Sequence, residues 1–194
     1  MTFRALDCRW LRRIRAINND AMIDATRRWV EKAVIGLKLC PFAESVYRSD
    51  RVRFYVSEQR TAAGLLEDLR AELMHLQAVE ARHCETTLLI HPWVLNDFFE
   101  FNDFLQICDE TVLDLDLEGE IQVASFHPQY QFAGTASDDI ENHTNRSPYP
   151  TLHLLREASV ERALAAVPDP ASIYKNNIRR LRDLGPEGWK ALWS

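Results

Sequence analysis

The chain has 194 residues, 23 Lys and Arg against 29 Asp and Glu, and a formal net charge of −6. This length supports one ordinary domain with a real hydrophobic core, and 46% hydrophobic with 27% charged residues excludes wholesale disorder. The acidic balance excludes broad binding to nucleic-acid backbones, which takes clustered Lys and Arg.

Residues 1–21 hold five Arg against two Asp and lack the apolar core of a secretory signal. They read as an N-terminal extension, with a single domain over 22–194. As an alternative, Leu6, Trp10, Ile14 and Ile17 share one face of an added helix. Taking this +3 from the total of −6 leaves −9 on the domain proper. Next, Trp29, Ala33, Leu37 and Cys40 recur at helical spacing, predicting a helix over 24–39 that Pro41 stops.

Alternation of Val52, Phe54 and Val56 predicts a first strand over 51–56. Leu65, Leu69, Leu73 and Leu76 mark a long helix from Thr61 to about Arg82. A second strand, 86–90, ends at His91-Pro92. Asn96 or Asp97 caps the next helix, with Phe98, Phe101, Leu105, Cys108 and Val112 inward. A third strand, 121–126, ends at His127-Pro128. After a polar loop over 129–150, a fourth strand covers 151–156, and Ser159 caps a helix through Val167. The last helix starts at Asp169, points Ile173, Ile178, Leu181 and Leu184 inward, and closes at Gly185-Pro186. Trp189 and Trp193 then pack a short turn onto the body. Strands separated by long helices predict an α/β single-domain sandwich: a mixed or parallel sheet of about four strands with flanking helices.

Ligands of open α/β sheets usually sit at the carboxyl ends of the strands. His91 and His127 both end strands, so parallel strands would bring them to one edge, within a small multiple of the ~5 Å strand spacing. His143 in the loop and His153 in the fourth strand can complete a metal set, with Zn or Fe as the ion. Against this, a His-Pro pair often only stops a strand, and no His-x-x-x-His spacing is present. Cys40 is a further candidate ligand or nucleophile, although a helix C-terminus raises a thiol pKa. In the loop, Asp138 and Asp139 can handle protons, and Arg146 can clamp a carboxylate or phosphate. Polar loops are also commonly just solvated.

Three stretches are similar to one family. They are Ala33-Val34-Ile35-Gly36-Leu37-Lys38-Leu39-Cys40-Pro41-Phe42-Ala43, Ser125-Phe126-His127-Pro128 with Tyr130-Gln131-Phe132, and the run from Asn142 to Glu157. Together they resemble a bacterial family known as domain of unknown function 1415. The resemblance covers roughly Met22 to the C-terminus. It implies a small bacterial cytoplasmic protein and brings no activity with it.

The leading expectation is therefore a metal-dependent small-molecule enzyme, its ion held by some of His91, His127, His143 and His153. The alternatives are a metal-free enzyme using histidine and Cys40, and a non-catalytic module binding a small anion or a partner protein. The expected ligand is a small anionic molecule, with a partner protein as the alternative for the binding module. Neither nucleic acid nor membrane is expected as a partner: no apolar run approaches the roughly 20 residues of a spanning helix. A cytoplasmic setting is expected because Cys8, Cys40, Cys84 and Cys108 are far apart and lack a Cys-x-x-Cys pair.

Overall fold

Helical periodicity and strand alternation become a single mixed sheet between two helical layers. The computed structural model describes the backbone of residues 8–165, 167, 169–170 and 172–194, and side chains from residue 18 onward. Helix α1 (Cys8–Trp29) runs straight into a π-helical segment (Val30–Ile35), followed by α2 (Ala43–Arg48). Then come β1 (Val52–Val56), α3 (Ala62–Ala78), β2 (Thr86–Ile90), α4 (Phe98–Asp114) and β3 (Ile121–Phe126). A 3-10 turn (Ile140–Thr144) lies in the following loop, before β4 (Thr151–Arg156), α5 (Glu157–Ala165) and α6 (Ser172–Ala191).

The sheet order is β1-β2-β4-β3, with β1 parallel to β2 and β4 antiparallel to both its neighbours. Strands β2 and β3 thus run the same way with β4 between them, and their carboxyl ends emerge at one edge. On one face, Leu89, Leu152, Leu154 and Ile121 pack beneath Leu65, Leu69, Leu73 and Leu76 of α3 and Phe101, Phe104 and Cys108 of α4. The four α3 leucines are fully buried, each worth roughly 1.5–3 kcal/mol. On the other face, Leu88, Phe54 and Phe126 meet Trp29, Val30 and Ala33.

Local capping explains where the crossover helices begin. Thr61 accepts from the Gly64 amide at 3.1 Å, and Asp97 accepts from Phe99 and Glu100 at 2.9 and 3.1 Å. The free carbonyls at the end of α3 are met by Arg156, whose guanidinium donates to Leu76, Val79 and Cys84 carbonyls.

Several boundaries differ from the sequence expectations. The first helix is not ended by Pro41. It stops earlier in a Schellman turn, with Lys38 left-handed (φ 53), Lys38 N donating to Ile35 O and Leu39 N to Val34 O. Leu39 is consequently buried and Leu37 only half-buried. Helix α1 begins well before Met22 and crosses it without a break; the expected face of Leu6, Trp10, Ile14 and Ile17 lies outside the described residues and side chains. Helix α5 follows β4 with no loop, its Glu157 amide held by the Glu120 carbonyl at 2.9 Å, so Ser159 is not its cap. Helix α6 starts at Ser172, and Gly185 (φ 65, ψ 174) kinks it before Pro186 opens a last short piece. Only Asn177 and Leu181 in α6 are buried.

Candidate functional site

His91 and His127 do meet at one edge of the sheet, on the α4 face. Both rings lie against Phe101, with centroids 5.5 and 5.1 Å away, and both are fully buried. Their nitrogens serve the β2–α4 loop. His91 Nδ1 donates to the Val94 carbonyl at 3.1 Å, and His127 Nε2 donates to the Leu95 carbonyl at 3.2 Å while Nδ1 accepts from the Gln129 amide at 3.0 Å. Both lone-pair-bearing and N–H positions of His127 are therefore occupied. His91 keeps Nε2 buried and without a partner, and burial pushes its pKa down to about 4.

The other two histidines lie elsewhere. His153 pairs with Leu88 and Ala124 on the opposite face, where its Nε2 donates to Thr86 Oγ1 at 2.8 Å. His143, in the 3-10 turn, stacks on Trp189 at 4.2 Å. The expected four-histidine metal set is thus spread over two sheet faces and a loop. Among the described residues, no group of three or more His, Cys, Asp or Glu side chains is placed to hold a metal ion.

The 129–150 loop is built rather than loose, and Asn142 is its centre. This fully buried side chain accepts from the Phe132 amide and Thr135 hydroxyl at 3.0 and 2.9 Å, and donates to the Ala136 carbonyl at 2.8 Å. Asn145 ties the loop to β3, donating to Ser125 O at 3.2 Å, and its carbonyl accepts from His127 N. Glu141 binds Arg182 of α6 at 2.6 Å, and this cation holds its carboxyl below the usual range. Asp139 caps a turn by accepting from the Ala136 amide at 2.8 Å, and Asp138 is exposed. Arg146 spends Nε on Tyr130 O and Nη2 on Ser137 O, at 3.0 and 2.6 Å.

One cavity, about 480 Å³, opens between three walls. From the first helix come Ala25, Arg28, Trp29 and Lys32; from the loop, His143, Arg146 and Ser147 between two prolines; from the C-terminus, Trp189 and Trp193. Neither Asp138, Asp139, Cys40, His91, His127 nor His153 lines it. The Cys40 thiol is half-buried, and burial raises its pKa, which works against a nucleophilic thiolate.

The cavity's described lining contains three cationic side chains and no acidic one. Arg28 is exposed and makes no hydrogen bond or ion pair among the described residues, whereas Lys32 Nζ donates to Leu192 O at 2.6 Å. Burial and then the Arg146 charge push the His143 pKa down to about 4, so this ring is neutral near pH 7. Its Nδ1 is buried without a partner, as is the indole Nε1 of Trp29. Of these residues the sequence pointed to Arg146 and His143 but missed Arg28 and Lys32. The available signal was a pair of like charges one helical turn apart beside a buried tryptophan, an arrangement that costs a few tenths of a kcal/mol.

No helix among the described residues is long and apolar enough to cross a membrane. No curated protein and no solved structure matches the chain. The family model described as "Protein of unknown function (DUF1415)" matches residues 21–191. That span takes in the whole sheet, all three cavity walls but for Trp193, and most of the helical layers, and the chain belongs to this family.

Proposed function

We propose that the protein binds a small organic anion in the cavity between α1, the 129–150 loop and the C-terminal tryptophans. The observation that carries this reading is the charge of the lining: Arg28, Lys32 and Arg146 with no acidic residue among the described lining residues, in a chain of net charge −6. Placing Arg28 and Lys32 on one helix face costs stability, and an anion between them reverses that cost. The volume falls in the range of small-molecule sites, roughly 300–1,000 Å³. His143 adds a neutral imidazole, a polar ring that carries no charge of its own to the site. The free state of Cys40, Cys84 and Cys108 supports action in a reducing cytoplasm, and the family resemblance supports a bacterial one.

Thermal-shift and calorimetric titration with a panel of small carboxylates and phosphates tests this. At least one member should bind below millimolar concentration. Arg28→Gln should then weaken it about tenfold, ~1.4 kcal/mol, without lowering the unfolding temperature, because Arg28 is exposed and unpaired among the described residues. Absence of binding by every anion at millimolar concentration would sink the proposal.

A further inference from the structure

We infer that the ligand of this cavity is a phosphate ester of a flat ring, of mononucleotide size, its ring held on Trp189 and Trp193 and its phosphate by Arg28, Lys32 and Arg146. The inference rests on the anion-binding reading and narrows it.

Charge comes first. Three cationic groups with no acidic one suit a ligand of more than one negative charge, and a phosphate monoester carries about −1.5 to −2 near pH 7. Arginine forks match phosphate oxygens better than point charges do. Two of Arg146's nitrogens are already fixed on Tyr130 and Ser137 carbonyls, so its remaining donors are held in place. Arg28 has no such tie among the described residues and is the clamp that can close on the anion.

Size and shape come second. A bare phosphate or a short carboxylate would leave most of about 480 Å³ unfilled. The indoles of Trp189 and Trp193 stand nearly perpendicular, 72° apart with centroids at 5.6 Å. A flat ring stacked on one indole face turns its own edge toward the face of the other, and both contacts are favourable aromatic geometries. Trp193 remains 43% exposed, a large apolar surface at the mouth of the cavity. His143 stacks on Trp189 at an interplanar angle of 29° and holds that indole in place. The unpartnered His143 Nδ1 and Trp29 Nε1 belong to residues of the same lining. The acidic body favours a free small molecule over the end of an oligonucleotide, whose further phosphates it would repel.

Titration of the full-length protein with four probes decides the matter: adenosine 5′-monophosphate, adenosine, inorganic phosphate and a short oligoadenylate, read by calorimetry and tryptophan quenching. The monophosphate should bind at least tenfold more tightly than adenosine, phosphate or the oligomer. Trp193→Ala should lose about tenfold for the monophosphate and leave phosphate unchanged, with Trp193→Phe recovering most of the loss. If phosphate binds as well as the monophosphate, the ring is not read: this inference falls while the anion site stands. If adenosine binds as well, both fall; if none of the four binds, this inference falls, and the carboxylates of the anion panel decide the other. Tighter binding of the oligomer would overturn the small-molecule assignment alone.

Discussion

Asn142 shows how much one side chain organises here. It makes three hydrogen bonds inside a segment that otherwise has only a single 3-10 turn of regular structure. At a net ~1 kcal/mol per bond, Asn142→Leu should cost about 3 kcal/mol in urea unfolding and open the 129–139 stretch to protease. The buried histidines make a second residue-scale prediction. Folded His91 takes its proton only near pH 4, because burial penalises the charged ring, whereas the unfolded residue titrates near 6.5. Between those values the unfolded chain binds more protons, so stability is full above about pH 6.5 and falls as the pH drops toward 4. His153 shifts in the same direction for the same reason. Denaturation midpoints at pH 7.5, 6 and 5 should decline for the native chain and decline less for His91→Asn, whose amide can still donate to Val94 O. The sequence placed both histidines at strand ends, and so at one sheet edge if the strands run parallel. It could not show that their nitrogens serve Val94, Leu95 and Gln129, since those partners depend on the path of two loops.

Elements whose boundaries rest on nearby side chains were legible, as with Asp97 opening α4 and the leucine stripe of α3. Elements decided by backbone geometry were not. The π-helical segment has no sequence signature, and Lys38 adopts the left-handed residue of a Schellman turn that glycine usually supplies. Gly185 is the opposite case, a glycine at a φ/ψ of 65° and 174° that other residues essentially never take. A Cβ there meets nothing within 4 Å, so only backbone strain opposes it. Gly185→Ala should therefore cost about 1–3 kcal/mol, with Gly185→Asn no better, in thermal unfolding followed by tryptophan fluorescence. The piece it displaces carries Trp189, so the His143 stack should loosen in the same variant.

At the level of the whole molecule, one cavity stands out by its charge. A chain of net −6 gathers Arg28, Lys32 and Arg146 around its 480 Å³ cavity. Anion binding there should weaken severalfold when salt rises from about 0.05 to 0.3 M, as screening shortens the reach of exposed charges such as Arg28. Calorimetry at the two salt concentrations measures this directly, and an affinity insensitive to salt would contradict a charge-led site. The loop facing this cavity has two roles. Asn142, Asn145 and Glu141 hold it to itself, to β3 and to α6, which leaves His143, Arg146 and Ser147 as its contribution to the cavity wall.

The four strands, the two crossover helices and the 129–150 loop as the place where polar groups collect could all be read from the residues alone, and so could a shared edge for His91 and His127 on condition that their strands run parallel. These follow from periodicity, capping and strand order, which act between residues near in the chain or through a general rule of sheet topology. Which of those polar groups face a common space depends on how distant segments pack. Arg28 and Lys32 join Arg146 and Trp189 because α1 lies across the sheet face that Leu88 and Phe126 fill, and because Gly185 turns the C-terminus back over His143. Burial patterns encode which face of an element is covered, but not which distant segment covers it. The same packing that assembles the cationic cavity places His153 on the face opposite His91 and His127.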